Sequence, residues 1–176
     1  MAFSSPNFYI KVCTTIRVSN LSIYEVVHEE IKKKGYDCSL NHIDVSLVTS
    51  FNGLFSGCAF PYGCFPDIST WNTRSLKHMR NTFYKSSINC DLSMWDTSNV
   101  VDMSYAFAFA NVKGLRISNW DTKKLCYAEG MFKGSNFCED ISGWDLSSIK
   151  NKDICLMTTI RQNNWNTTNK CTRFHG

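Results

Sequence analysis

The feature that most constrains the fold of this chain is a tryptophan that returns at a nearly constant interval. Trp71, Trp95, Trp120 and Trp144 are 24, 25 and 24 residues apart. An Ile or Leu lies three residues before each Trp, a Ser lies two residues before it, and an Asn or Asp follows it directly. A period of about 20–50 residues marks a repeat architecture, in which each unit buries its apolar face against its neighbours.

The spacing within each unit predicts its secondary structure. Val100, Met103 and Phe107 lie at i, i+3 and i+7, which favours one face of about two turns of helix. Before the Trp, apolar and polar residues alternate in 90–93 and 115–118, which favours a short strand. We therefore expect an α/β repeat solenoid with one short parallel strand and one short helix in each coil of about 24 residues.

The N-terminal segment precedes the repeats and predicts elements of its own. Residues 7–18 are rich in β-branched and aromatic side chains, which favours a strand. A capping-box pattern begins at Ser22, apolar residues follow at helical spacing, and Gly35 stands where a helix end needs a left-handed residue. We divide the chain into an N-terminal strand–helix cap (1–37), a solenoid of about five coils (38–165) and a C-terminal tail (166–176).

Composition and charge exclude several classes of function. The net charge of +4, from 19 Lys and Arg against 15 Asp and Glu, is too small to indicate a nucleic-acid partner. No apolar stretch approaches the ~18 residues that a membrane span needs. The first residues lack the order of a signal peptide. We expect a cytoplasmic protein without a membrane partner, with the cell surface as the alternative.

Nine cysteines and four histidines are the residues that could hold a metal. No Cys-x-x-Cys pair occurs and the histidines are scattered, so a zinc site has little support. We expect mostly reduced, buried thiols and no cofactor, while disulfides or metal ligation remain alternatives.

The pattern from Asp91 to Phe107, DLSMWDTSNVVDMSYAF, closely resembles the BspA-type leucine-rich repeat family. That family occurs in surface proteins and lipoproteins of bacteria and protists. The resemblance covers roughly residues 38–165. It implies a leucine-rich-repeat-like solenoid used for adhesion or protein recognition.

Most repeat positions have a structural interpretation. We expect the recurring Trp to be a packing residue and the Asn or Asp after it to cap the next element, because the spacing of calcium repeats is absent. Outward positions beside the inward Ile or Leu are the candidate binding surface. This polar strip consists of Asp67, Asp91, Arg116, Asp140, Ser69, Ser93, Ser118 and Ser142, with Met94 and Asn119 beside it.

A second set of charges is expected on the helix side of the solenoid. This basic region consists of Arg74, Lys77, His78, Arg80, Lys123 and Lys124. Two faces of opposite charge favour a protein partner over a nucleic acid. The oligomeric state is left open.

The sequence therefore predicts a non-catalytic protein–protein interaction module, and the specific form we expect is an inhibitor or immunity-type protein that binds and blocks a larger protein. The alternatives are a surface adhesin segment and a thiol- or metal-dependent enzyme. An enzyme has the least support, because the sequence contains no phosphate-binding loop, no His-Glu-x-x-His and no Gly-x-Ser-x-Gly motif.

Overall fold

The structure of the protein, a computed structural model, describes residues 15–61 and 63–150 of the 176-residue chain. Most of the strand predicted at 7–18, the end of the predicted repeat region and the predicted tail at 166–176 lie outside the described residues. The two boundaries between the three predicted segments remain predictions.

Regular secondary structure makes up a small part of the described residues. The elements are β1 (Ile16–Arg17), α1 (Ile23–Lys34), β2 (Ile43–Asp44), β3 (Ser87–Asn89) and β4 (Asn111–Lys113). Strand β1 pairs in parallel with β2, and β3 pairs in parallel with β4, in two separate sheets. Turns and loops form the remainder. Within residues 15–61 and 63–150, no helix has both the length and the apolar character needed to cross a membrane.

The prediction of a leucine-rich-repeat-like α/β solenoid is wrong. The described residues contain one helix, α1, and it precedes the repeats, while the strand pairs are short and lie in different sheets. No helix forms where Val100, Met103 and Phe107 predicted one. The segments 90–93 and 115–118 that were expected to be strands contain none, because β3 and β4 end before these segments begin.

The reason lies in where the backbone amides donate their hydrogen bonds. The amides of Met103, Tyr105 and Phe107 each donate to a carbonyl 24 residues further along the chain, at 2.8 Å. An α-helix would require donation to the residue four positions earlier. Tyr105 and Phe109 also have φ of 55° and 56°, which a right-handed helix excludes. The side chains at positions i, i+3 and i+7 are buried here by successive turns, although the same spacing is typical of a helix.

Consecutive repeats lie side by side and are joined through buried tryptophans. The rings of Trp71, Trp95, Trp120 and Trp144 stack with centroids 6.3, 6.5 and 6.2 Å apart and nearly parallel planes. Each Nε1 donates at 3.0–3.1 Å to the carbonyl of an Ile or Leu in the preceding repeat. A buried indole N–H needs such an acceptor, so the Trp that packs the core also sets the register of neighbouring repeats.

A second stack of rings continues the core beside the tryptophans. Phe55, Phe83, Phe107 and Phe132 are fully buried, with ring centroids 5.6, 5.2 and 5.5 Å apart. The Trp and Phe rings also contact each other across repeats, as Phe107 and Trp120 do at 6.1 Å. The prediction that the recurring Trp is a packing residue is confirmed.

The helix α1 contacts the first repeat through polar side chains as well as its apolar face. His28 Nε2 lies 2.9 Å from the Leu54 carbonyl, and Glu30 pairs with Lys34 at 2.5 Å and with His42 at 3.1 Å. Gly35 follows the helix with φ of 89°, as the sequence predicts. The predicted capping box does not form, because the Ser22 hydroxyl accepts the Ser19 amide instead of an amide of the first helical turn.

Replacing Trp95 by Ala tests the cross-repeat ring stack. We expect the free energy of unfolding to fall by about 3–5 kcal/mol, because a buried ring and its hydrogen bond are lost together. The neighbouring substitution Met94→Ala is the control, since Met94 is 76% exposed and should change stability by less than about 0.5 kcal/mol. Urea unfolding measures both, and equal effects of the two changes would contradict the stacking.

The ion pairs of the buried Glu30 carboxylate should make the free energy of unfolding depend on pH. The hydrogen bond and charge of Lys34, followed by contact with His42, hold the pKa of Glu30 below its usual 4.5 despite burial. Because the folded-state pKa is depressed, this stabilisation is complete above the unfolded-state pKa and is lost as pH falls through the folded-state pKa. The stability difference between the native protein and Glu30→Gln should therefore be larger at about pH 7 than at about pH 3. Unfolding curves at both pH values measure it, and a difference independent of pH would count against the prediction.

Candidate functional site

The structure brings part of the predicted polar strip into direct contact. The guanidinium of Arg116 lies 3.3 Å from the Asp91 carboxylate, and the Asn119 amide donates to the Ser93 carbonyl at 2.8 Å. Asp67 occupies the equivalent place in the repeat before and is hydrogen-bonded to Asn41 at 2.6 Å. The strip residues therefore sit at matching places in successive repeats, and the middle two repeats are linked through them.

The carboxylates of the strip are held by short turns. One oxygen of Asp67, Asp91 and Asp140 accepts the backbone amide two residues later, at 3.0, 2.9 and 2.8 Å. Hydrogen bonds from Ser93 hold the pKa of Asp91 below its usual value, and those from Ser142 lower the pKa of Asp140. The lowered pKa values keep the Asp91 and Asp140 carboxylates ionised at neutral pH, and the turn hydrogen bonds fix the direction of all three carboxylates.

Arg116 stands where the other units of the strip carry Asp, and its backbone is bound by a side chain of the following repeat. The amides of Arg116 and Ile117 donate to the two oxygens of Glu139 at 2.9 and 3.1 Å. Glu139 belongs to the following repeat, so sequence reasoning could not assign it this role. Its carboxylate therefore joins the backbone at Arg116 and Ile117 to the neighbouring repeat.

The remaining strip residues differ in exposure. Met94 is 76% exposed, and Ser118, Asn119 and Ser142 are also exposed. Ser69 and Ser93 are half-buried beside their aspartates. Met94 is thus an apolar side chain that projects from the polar strip.

The residues after each Trp have structural roles. Asp96, Asp121 and Asp145 each accept the amide two residues later, at 2.9–3.1 Å. These carboxylates bind backbone amides as expected of capping residues. The amides belong to turns, because no helix follows them. Thr73, Thr97 and Thr122 are buried and donate to carbonyls of the next repeat at 2.9–3.1 Å.

A second surface, which sequence reasoning missed, lies on the turns that replace the expected helices. This aromatic face consists of Tyr84, Tyr105 and Phe109 with the cations Arg80 and Lys85. Tyr84 and Phe109 meet edge to face at 5.9 Å. Arg80 lies 5.8 Å from the Tyr105 ring centre, and Lys85 lies 5.3 Å from that of Tyr84. Arg80 was expected in the basic region on the helix side, but it belongs to this turn surface.

Two residues of the aromatic face have a backbone conformation that is rare for residues other than glycine. Tyr105 and Phe109 adopt the left-handed conformation, which costs a non-glycine residue about 1–2 kcal/mol. In the following repeat the same places hold Gly130 and Gly134, and a Cβ on either would come within 2.5 Å of the ring above it. The rings therefore lie directly over glycines. An aromatic residue where the first and the following repeats carry Gly was the sequence signal for this surface.

A cleft of about 350 Å³ adjoins the aromatic face at the last described repeat. Arg80, Asp102, Tyr127, Glu129 and Lys150 contribute both charges to its lining. The Lys150 ammonium lies 3.1 Å from the Tyr127 hydroxyl. The cleft reaches Lys150, where the described residues end.

The thiols are distributed differently from the prediction. Cys38 and Cys90 are buried, and burial raises the pKa of the Cys90 thiol to about 11. Cys58, Cys64 and Cys126 are half-buried, and Cys138 is exposed. Cys13, Cys155 and Cys171 lie outside the described residues. Among residues 15–61 and 63–150, no group of three or more His, Cys, Asp or Glu is arranged to hold a metal ion.

The contact between Phe109 and Gly134 can be tested by substitution. Gly134→Ala should destabilise the fold by about 1 kcal/mol more than Gly57→Ala, because both glycines have left-handed φ but only at Gly134 would the added Cβ meet a ring. In a Phe109→Gly background this excess should vanish. Unfolding free energies of the variants measure the coupling, and an excess that persists without the Phe109 ring would refute the contact.

The comparisons with known proteins agree with a repeated chain. A family model described as "Mycoplasma protein of unknown function, DUF285" matches residues 15–85 and also residues 49–169. Two overlapping matches of one model are expected when a sequence repeats. No curated protein and no solved structure matches the chain.

Proposed function

The chain belongs to the DUF285 family of Mycoplasma proteins of unknown function, and from that premise we propose that it is a non-catalytic protein–protein interaction module. We further propose that its repeat is of the BspA type. The support for this relationship is the motif from Asp91 to Phe107. The binding role is supported by the surface that the repeats build, as follows.

The observation that carries the proposal is the row of fixed carboxylates with Met94 projecting beside them. One oxygen of each carboxylate holds a turn in Asp67, Asp91 and Asp140. These side chains therefore already have a fixed orientation before a partner binds. Ordering a side chain at an interface costs about 0.5–1.5 kcal/mol, and this surface avoids part of that cost. Such pre-organisation favours recognition of a partner.

The partner that fits the strip is a protein with basic side chains around an apolar pocket. The carboxylates would steer and orient basic groups, and Met94 would enter the pocket as an adaptable apolar anchor. Arg116 is already paired with Asp91, and it would also bind one acidic group of the partner. This contact would fix how the partner is aligned along the strip. We propose first that the protein is an inhibitor or immunity-type protein, which binds and blocks a larger protein.

A non-catalytic role also agrees with the state of the side chains. The Asp67 and Asp91 carboxylates accept hydrogen bonds at both oxygens, so each one holds its turn and also contacts a neighbouring repeat. The pKa of the buried Cys90 thiol is raised, which disfavours the thiolate that a nucleophile requires.

Neutralising the strip tests the proposed function. In the triple variant Asp67→Asn, Asp91→Asn, Asp140→Asn, each amide oxygen can still accept the turn hydrogen bond while the charge is lost. Affinity for a purified partner, first identified by crosslinking in the native host, should fall at least about tenfold and depend less on salt. Calorimetric titration at two salt concentrations measures both effects.

The matched control changes the other row of turn aspartates. The variant Asp96→Asn, Asp121→Asn, Asp145→Asn removes the same charge from turns of the same kind outside the strip. It should bind the partner as the native protein does. If both triple variants bind equally well, the polar strip is not the binding surface.

A further inference from the structure

We propose that the aromatic face is a second binding surface, which takes an acidic peptide segment carrying bulky apolar side chains. It goes beyond the function proposed for the polar strip, because the two surfaces share no residue. The strip precedes each Trp, whereas the aromatic face is built from the turns around the buried Phe83 and Phe107.

The first argument is that the fold does not need the rings of this face. Tyr105 and Phe109 occupy left-handed positions that the first repeat fills with Gly53 and Gly57, and the following repeat also fills with glycine. The same turns therefore form without an aromatic side chain and without backbone strain. Strained residues of this kind concentrate where a protein binds or reacts, since the cost must be recovered elsewhere.

The second argument is the exposure of these rings. Phe109 is 47% exposed, and Tyr84 and Tyr105 are half-buried around it. The rings are held by neighbours, because Phe109 lies over Gly134 and against the edge of Tyr84. Rigid aromatic rings that remain open to solvent are typical of the residues that dominate protein interfaces.

The third argument is charge, which selects the partner. Arg80 and Lys85 lie over two of the rings, and no carboxylate in the described part of the chain forms an ion pair with either. The nearby Glu129 carboxylate accepts the Tyr105 hydroxyl at 2.5 Å. The two cations thus remain available for acidic side chains that flank an apolar residue seated on the rings.

The same charges disfavour a single-stranded nucleic acid. Glu129 borders Tyr105, and Asp102 lines the adjoining cleft together with Arg80. Both carboxylates would repel a phosphate backbone that followed the rings, whereas a peptide can place its few acidic groups beside Arg80 and Lys85 alone.

The test uses three synthetic peptides labelled with a fluorophore. The first is Glu-Gly-Glu-Phe-Pro-Leu-Glu-Gly-Glu, the second replaces each Glu by Lys, and the third replaces Phe and Leu by Ser. Fluorescence anisotropy with the full chain should show saturable binding of the first peptide and at least about tenfold weaker binding of the other two. Equal binding of the Lys peptide, or no binding of the acidic peptide, would overturn the proposal.

The variant Tyr105→Gly, Phe109→Gly separates binding from folding. It should weaken binding of the acidic peptide at least about tenfold while leaving the thermal midpoint nearly unchanged, because glycine relieves the left-handed strain. Asn81→Gly is the matched control, since Asn81 has the same backbone conformation in the preceding repeat and should bind as the native protein does. Undiminished peptide binding by the double variant, or stronger binding of polyuridylate than of the acidic peptide, would reject the proposal.

The outcome is independent of the polar strip. The variant with Asn at positions 67, 91 and 140 should bind the acidic peptide normally, even though it is expected to lose the strip's partner. Loss of peptide binding in that variant would contradict the separation of the two surfaces. If the strip variant still binds the strip's partner, the proposed function is wrong, but the proposal for the aromatic face is unaffected.

Discussion

Hydrogen bonds that run from one repeat to the next are the interaction on which the rest of the structure depends. Each of the four described Trp indoles donates to a carbonyl of the preceding repeat, and alternate turn amides donate to carbonyls of the following one. Because a buried polar group without a partner is costly, a repeat displaced along its neighbour would lose several bonds at once. The stacked Trp and Phe rings are aligned by the same register.

This arrangement explains why a chain with little helix or strand has a well-packed core. The backbone groups that helices would satisfy internally are satisfied between repeats and by side chains such as Thr97 and Asp91. The many short polar residues of the sequence are therefore part of the framework. It also explains why much of the polar strip is already hydrogen-bonded: its carboxylates hold turns before they meet any partner.

The two candidate surfaces differ in what made them predictable. The polar strip follows from the repeat alone, because equivalent positions in neighbouring units come together. Its pairing of Arg116 with Asp91, and the support of its backbone by Glu139, depend on contacts between residues 22 to 25 positions apart. In a helix, Tyr105 and Phe109 would also share an outward face, since they are four residues apart. Only the left-handed turns set their rings over glycines of the following repeat, and this contact between repeats was missing from the sequence analysis.

The sequence by itself determined which side chains form the core, since the Trp, Phe and aliphatic positions of the frame are buried as their period indicates. It also located α1 and its end at Gly35. Only the tertiary structure decided that the repeats consist of turns. Residue spacing records which side chains face inward, but a helix and a series of turns share that spacing. They differ only in whether an amide finds its acceptor within its own segment or in the neighbouring repeat.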